Sequence, residues 1–110
     1  MYAEAKELYE RAIPVMRTTG NRRGEAITYG GLGNLLRHAG EYVKANECQE
    51  KSLAISMEIG DRATEGTSYG NLGTVFHSLG EYVKAKEYYE KALAISTEIE
   101  IGRASCRERV

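Results

Sequence analysis

The sequence predicts an all-α fold made of antiparallel helix pairs, repeated about two and a half times along the chain. Three observations predict this fold. The segment at residues 40–59, GEYVKANECQEKSLAISMEI, returns with most positions identical at residues 80–99 as GEYVKAKEYYEKALAISTEI. Apolar residues recur at the three-and-four spacing of one helical face. The strict alternation of apolar and polar residues that indicates a half-buried strand is absent.

The repeat divides the chain into segments. Residues 1–19 align with the start of the 40–59 segment and predict the second helix of a truncated repeat; residues 20–59 and 60–99 form two further repeats. Each of these repeats predicts two helices. The first helices carry the stripes Tyr29, Leu32, Gly33, Leu36 and Tyr69, Leu72, Gly73, Phe76, and the last helix carries Tyr82, Ala85, Tyr89, Ala92 and either Ile95 or Ser96. We expect these stripes to form the core.

The sequence also predicts where helices begin and end. Asn21 and Asp61 are predicted N-caps, because a short side-chain oxygen accepts hydrogen bonds from free backbone N–H groups. Gly40 and Gly80 follow the first helices, where a left-handed glycine commonly ends a helix.

Glycines inside the first helices need another explanation, since each costs up to about 1 kcal/mol relative to Ala in an exposed helix interior. We expect Gly33 and Gly73 to face the small Ala45 and Ala85, so that paired helices approach closely.

Composition and charge exclude several classes of function. The 15 basic and 16 acidic side chains give a net charge of −1 and do not cluster, so we expect no nucleic-acid partner. No apolar stretch reaches the length of a membrane span, and the charged N-terminal segment is not a signal peptide. The two cysteines show neither metal-type spacing nor a disulfide framework. The sequence therefore predicts a cytoplasmic protein without a membrane partner.

Catalytic chemistry has few candidates. His38, His77 and Cys48 are the obvious ones, and their spacing does not predict the contact that a Cys–His pair needs. We expect Cys48 to be a packing residue, since it corresponds to Tyr88 in the next repeat. The sequence therefore predicts no enzyme activity, no cofactor and no metal site.

One order of residues carries a family resemblance. The order is an aromatic residue, Leu–Gly, a second aromatic residue, Gly and then an Ala–aromatic–Ala series. It occurs here at Tyr69, Leu72, Gly73, Phe76, Gly80, Ala85, Tyr89 and Ala92. This order resembles the tetratricopeptide repeat, whose usual length is about 34 residues. The earlier copy departs from it at Gln49 and Ser52. More narrowly, the phrases GDRATEGTSYGNLG and GEYVKAKEYYEKALAIS resemble the long-repeat group that includes Pins-type G-protein-signalling scaffolds.

The resemblance implies a right-handed superhelical solenoid whose first helices line a concave groove. The family's groove positions fall here on Ile27, Asn34, Arg37, Thr67, Gly70, Asn71, Thr74 and His77. Asn34 and Asn71 would hydrogen-bond a peptide backbone, and Arg37 would meet a carboxylate. These positions have a simpler explanation as a solvated polar face. The lysines that the family's two-carboxylate clamp needs are missing from this face.

These features predict a non-catalytic scaffold that binds a protein partner's peptide or helix in the groove. An alternative is a structural spacer, or a segment that self-associates through exposed end faces, because solenoids need several repeats and polar caps. A third alternative is a regulatory module of a larger signalling protein.

The repeat pattern stops after residue 99. Residues 100–110, EIGRASCRERV, resemble the translation of a common short-read sequencing adapter, and we expect this tail to be an assembly artefact. The alternative is a native basic tail in which Arg103, Arg107 and Arg109 bind an acidic partner. Cys106 belongs to the same segment.

Overall fold

The computed structural model describes the backbone of residues 1–108 and the side chains of residues 1–103. The described chain forms five α-helices: α1 (Tyr2–Thr18), α2 (Arg22–His38), α3 (Tyr42–Ile59), α4 (Arg62–Ser78) and α5 (Tyr82–Glu108). Each helix packs on the next one along the chain, and α2 also contacts α4. The all-α solenoid of antiparallel helix pairs is therefore confirmed, with α2–α3 and α4–α5 as the two full pairs.

Local sequence signals set the helix ends. Asn21 accepts a 2.9 Å hydrogen bond from the backbone N–H of Gly24, and Asp61 accepts one of 3.2 Å from that of Thr64. Both predicted N-caps are confirmed. Gly40 follows α2 with a φ of +83°, in the left-handed region that an L side chain rarely adopts. Its position lets the chain reverse into α3 within a few residues.

The core is built mainly on the predicted stripes of the first helices. Leu32 and Leu36 of α2 and Leu72 of α4 are buried, and Tyr29 is 8% exposed. Removing one such side chain from water contributes about 1.5–3 kcal/mol. Tyr69 and Phe76 are half-buried and pack on the ring of Tyr88, so the aromatic positions of the later pair are less enclosed.

The α5 stripe is only partly buried. Ala85 and Ile95 lie in the core, whereas Tyr82 is 64% exposed and Tyr89 is 40% exposed. The expectation that the whole stripe is core is wrong for these two tyrosines. The reason is geometric, because α5 contacts only α4 within the described chain, whereas α3 lies between α2 and α4.

The glycines inside the first helices do mark close approach, but their nearest neighbours are not the predicted alanines. A Cβ atom on Gly33 would meet the side chain of Gln49, and one on Gly73 would meet the ring of Tyr89. The nearest neighbours thus lie one turn beyond Ala45 and Ala85 on the second helices.

The helix α5 (Tyr82–Glu108) continues past residue 99, so the backbone of residues 100–108 is helical. Residues 109 and 110, and the side chains of Cys106, Arg107 and Arg109, lie outside the described part of the chain. Both interpretations of the tail, a translated adapter or a basic binding segment, therefore stay predictions.

Candidate functional site

A cavity of about 290 Å³ lies between α2 and α4, with α3 beneath it. It is lined by small and polar residues: Ile27, Gly30, Gly31, Asn34, Ser52, Thr64, Thr67, Ser68 and Asn71. We call this cavity the α2–α4 groove. No Lys, Arg, Asp or Glu side chain is among these lining residues. The groove is therefore an uncharged surface that offers amide and hydroxyl groups.

Four of the eight groove residues that the resemblance implied line the α2–α4 groove. Ile27 and Asn34 come from α2, and Thr67 and Asn71 come from α4. Ile27 is 58% exposed and supplies the one large apolar side chain of the lining.

Three of the other sequence-based candidates face α5 instead. Thr74 Oγ1 lies 3.0 Å from the Tyr89 hydroxyl oxygen, and the His77 ring meets the Tyr82 ring edge-on with centroids 5.1 Å apart. A Cβ atom on Gly70 would lie 3.9 Å from Cβ of Ala92. These residues belong to the α4–α5 contact.

Arg37 lies one turn beyond Asn34 on α2 and does not line the groove. Its side chain is half-buried, and its Nε atom is enclosed without a hydrogen-bond partner in the described chain. Its Nη2 atom lies 3.4 Å from Nε2 of His38. The Arg37 guanidinium therefore has no carboxylate partner within the described residues.

Beneath the groove lies a buried glutamine that links three helices. Gln49 of α3 is fully buried, and its Nε2 donates to the backbone oxygen of Gly30 at 2.9 Å and to Oδ1 of Asn34 at 3.4 Å. Its Oε1 accepts a hydrogen bond of 3.3 Å from Nδ2 of Asn71. The two groove asparagines are thus joined through one buried amide.

A second polar contact continues the groove floor. Ser52 of α3 and Ser68 of α4 are both buried, and their hydroxyl oxygens lie 3.0 Å apart. Ser68 also donates to the backbone oxygen of Thr64 at 3.0 Å, which leaves Ser52 to donate to Ser68. Gln49 and Ser52 thus make the groove floor polar, whereas the next repeat carries Tyr89 and Ala92 at the equivalent positions.

In the sequence, Gln49 and Ser52 stand out only as departures from the repeat pattern. The departure itself was the available signal, because a polar residue at a buried helix position must find hydrogen-bond partners. The role of Gln49 in the site could not be predicted from this departure alone, because it depends on Asn34 and Asn71, which come from two neighbouring first helices.

A second cavity, of about 350 Å³, lies on the α4–α5 side of the molecule. Its lining is largely apolar: His77, Tyr82, Ala85, Lys86, Tyr89, Glu90 and Leu93. It contains the exposed tyrosines of the α5 stripe and Leu93, which is 67% exposed. This apolar face has the opposite character to the α2–α4 groove.

Ion pairs that lie outside the groove join the two helices of each full pair. Arg62, at the start of α4, contacts Glu65 at 2.8 Å and Glu98 of α5 at 2.7 Å. The same trio stands one repeat earlier as Arg22, Glu25 and Glu58. Each arginine therefore connects the beginning of a first helix to the end of its paired second helix.

Asp61 and Cys48 are two of the titratable groups whose pKa values are shifted. The Thr64 hydroxyl, which donates to Asp61 at 2.6 Å, lowers the pKa of the Asp61 carboxyl, assisted by the Thr64 backbone N–H and by Arg23 at 3.0 Å. Burial raises the pKa of the Cys48 thiol. Neither group lines the α2–α4 groove.

Within the described residues, no group of three or more His, Cys, Asp or Glu side chains is arranged to hold a metal ion. None of the described helices has the length and hydropathy of a membrane span.

Comparison with known proteins agrees with this architecture. The chain matches the crystal structure of the TPR domain of Arabidopsis FLU with a TM-score of 0.78 and 24% sequence identity. The match covers 84% of this chain and 78% of that chain, and at this identity it concerns the fold. No curated protein sequence matches the chain. The sequence model described as Tetratricopeptide repeat matches residues 1–58 and 24–98, so the chain belongs to the tetratricopeptide repeat family.

Proposed function

We propose that this chain is a non-catalytic interaction scaffold that holds a partner protein's peptide or helix in the α2–α4 groove. Tetratricopeptide repeat domains are in general protein–protein interaction scaffolds. The observation that carries the proposal is the pair of half-buried amides, Asn34 and Asn71, on opposite walls of an uncharged cavity. Side-chain amides both donate and accept hydrogen bonds, as a peptide backbone requires.

The groove favours an internal peptide segment over a chain terminus. A C-terminal carboxylate needs cationic donors, and none lines the groove. Arg37 lies one turn away on α2 and would meet an acidic side chain of the partner beyond the groove's edge. Ile27 would contact an apolar side chain at the groove's mouth. Gly70, Thr74 and His77 face α5, and their contribution to partner binding would be indirect.

The experiment selects binding peptides from a random display library on the immobilised chain, then measures each synthetic peptide by fluorescence anisotropy. A variant with Asn34→Ala, Arg37→Ala and Asn71→Ala should bind at least about tenfold more weakly, since each lost hydrogen bond contributes about 0.5–1.5 kcal/mol. Its helicity, measured by far-UV circular dichroism, should match the unmodified chain.

Two further variants guard against a loss of binding through misfolding. Thr67→Lys places a long side chain in the groove at an exposed position and leaves the Gln49 contacts intact, so it should also abolish binding. Asn46→Ala removes an amide from α3 outside the groove and should bind normally. If no selected peptide distinguishes Thr67→Lys from the unmodified chain, the groove is not a binding site.

The second candidate function is self-association or a spacer role in a longer solenoid. The apolar α4–α5 cavity favours it, together with Tyr82, Val83 and Leu93, which are 64%, 75% and 67% exposed. Sedimentation velocity at increasing concentration tests it: self-association predicts a rising sedimentation coefficient that Leu93→Glu prevents. A concentration-independent monomer would rule out association through this face.

A third candidate role is that of a regulatory module within a larger signalling protein. That role predicts further coding sequence, which re-reading the native transcript across the codons for residues 99–110 would reveal. A continued repeat beginning Gly-Asp-Arg would support it, whereas a confirmed stop after Val110 would favour the basic-tail interpretation.

A further inference from the structure

One position of the second helices changes character along the chain. Positions 9, 49 and 89, each forty residues apart, are Tyr, Gln and Tyr. The Tyr9 ring lies so close to Gly31 of the following first helix that a Cβ there would be 2.8 Å from Cε1 of the ring. An aromatic residue at this position therefore requires glycine at the facing position.

The facing position changes together with it. Residue 71 occupies the place of Gly31 one repeat later, and it is asparagine where the second-helix residue is Gln49. The shorter, unbranched glutamine leaves room for the Asn71 side chain, whose Nδ2 donates to Oε1 of Gln49 at 3.3 Å. A steric Tyr–Gly contact between α1 and α2 is thus replaced by a polar Gln–Asn contact between α3 and α4.

The Gln49 amide has no rotational freedom left. Both of its N–H groups are used, by the backbone oxygen of Gly30 and by Oδ1 of Asn34, and its oxygen accepts from Asn71. The residue is fully buried, so water cannot replace these partners. Rotating the Gln49 amide by half a turn would place its oxygen against the oxygens of Gly30 and Asn34, and its N–H₂ group against the N–H₂ group of Asn71. Because the amide is buried, these mismatched contacts would be costly.

This fixed amide orients the two asparagines above it. Asn34 directs its oxygen to Gln49, which leaves its N–H₂ group for the groove. Asn71 commits one N–H to Gln49, which leaves its oxygen as an acceptor. The groove therefore presents a donor from α2 and an acceptor from α4.

Such a pair matches one residue of an extended peptide. In a strand, the C=O and N–H of the same residue point to the same side, and an antiparallel neighbour engages both. The surrounding Gly30, Ser52 and Ser68 are small, so a backbone can approach closely, and no charged side chain lines the cavity. A residue with a small, uncharged side chain fits this space.

We propose that Gln49 is a positioning residue that fixes the amides of Asn34 and Asn71, so that the α2–α4 groove recognises one backbone C=O and N–H of an extended, uncharged peptide segment. This inference rests on the proposed function and names the ligand class of the same site.

The decisive variant combines Gln49→Tyr with Asn71→Gly, which copies the Tyr9–Gly31 contact into the α3–α4 junction. Because that contact already occurs in the chain, the double variant should keep its helicity and cooperative unfolding. It should bind a display-selected peptide at least about tenfold more weakly, since the groove loses the Asn71 acceptor and the orientation of Asn34. Gln49→Tyr alone should be destabilised by a clash with Asn71, and Asn71→Gly should restore its stability.

A milder variant keeps the fold in a second way. Asn34→Asp retains an oxygen that accepts from Gln49 and removes the N–H₂ group that faces the groove, so it should also weaken binding. The peptide side of the contact is tested by methylating each backbone nitrogen of the selected peptide in turn. Methylation at a single position should weaken binding at least about tenfold, because that N–H donates to Asn71.

The outcomes separate the inference from the proposed function. If Thr67→Lys abolishes binding while the N-methyl scan is flat and the double variant binds normally, the groove binds peptides but Gln49 does not position the asparagines, and the inference is wrong. If the selected peptides ignore Thr67→Lys as well, the proposed function and the inference both fail. Selected peptides whose binding depends on Arg37 but not on Asn34 or Asn71 would also overturn the inference.

Discussion

Gly33 and Gln49 pack so closely that a Cβ atom on Gly33 would lie 2.5 Å from Nε2 of Gln49 and 3.0 Å from its Cδ. The glycine therefore gives the buried amide its place between α2 and α4. The equivalent glycine of the next repeat, Gly73, accommodates the ring of Tyr89 in the same way. The equivalent helix-interior glycine of each repeat thus makes room for a different side chain, an amide in one repeat and a phenol in the next.

The first prediction concerns this contact. Gly33→Ala should destabilise the fold by about 1–3 kcal/mol, because Gln49 cannot move away without losing its hydrogen bonds to Gly30, Asn34 and Asn71. Urea unfolding followed by circular dichroism measures the change.

Gly70→Ala is the matched control, since its Cβ would lie 3.9 Å from Cβ of Ala92, an ordinary contact. That variant should gain about 0.5–1 kcal/mol from the better helix propensity of alanine. Equal effects of the two alanine variants would show that Gly33 is not needed for close packing.

The second prediction concerns pH. The Thr64 hydrogen bonds lower the pKa of Asp61 in the folded chain, so Asp61 contributes stability above its unfolded value and loses it as the pH falls through the folded value. The unfolded value is about 3.9, so the loss should begin near pH 4 and continue below it. Thermal unfolding between neutral pH and pH 3 measures it as a falling midpoint.

Asn21 shows how to separate capping from charge, because it caps α2 with a neutral side chain. Asp61→Asn should keep the cap and reduce the acid sensitivity, whereas Asp61→Ala should cost about 0.5–2 kcal/mol at neutral pH. An unchanged acid profile in Asp61→Asn would assign the sensitivity to other carboxylates.

The third prediction concerns the arginine trio. Arg62→Ala should lower the unfolding midpoint, because it leaves Glu65, whose side chain is 9% exposed, without its cation and disconnects Glu98 of α5. Arg62→Lys should restore only part of the loss, since one ammonium does not reproduce the guanidinium's contacts to both carboxylates.

Lys84→Ala removes an exposed i,i+3 pair with Glu81 and provides the comparison. Pairs of this kind contribute little, so its midpoint should stay close to that of the unmodified chain. A similar loss in Lys84→Ala and Arg62→Ala would mean that the trio is no more than a surface interaction.

The fourth prediction concerns Cys48. Burial raises the pKa of its thiol, so little thiolate forms near neutral pH and thiol reagents should label it slowly in the folded chain. A Cys106→Ser variant isolates the Cys48 signal, and the rate should rise sharply when urea unfolds the chain. Labelling in the folded state as fast as in urea would show that Cys48 is freely accessible.

The sequence predicted those features that depend on local rules. Asn21 and Asp61 cap their helices as expected because capping involves residues within one turn of each other. Leu72 is buried as expected because helical periodicity alone assigns it to the packed face.

Features that depend on neighbouring helices escaped prediction. The exposure of Tyr89 follows from the lack of a contact beyond α5 in the described chain, which periodicity does not encode. The link between Asn34 and Asn71 runs through Gln49, and these three residues lie on three different helices. A sequence pattern placed both asparagines on the first helices, but it could not show that a buried amide joins them.

The central claim is that a peptide binds in the α2–α4 groove, and NMR mapping tests it most directly. The ¹⁵N-labelled chain is titrated with a display-selected peptide while backbone and side-chain amide signals are followed. If the peptide binds there, the largest shifts should cluster at Asn34, Thr67 and Asn71, including both asparagine side-chain N–H₂ groups. Shifts centred on Tyr82 and Leu93 of the apolar α4–α5 face, with the groove signals unmoved, would contradict it.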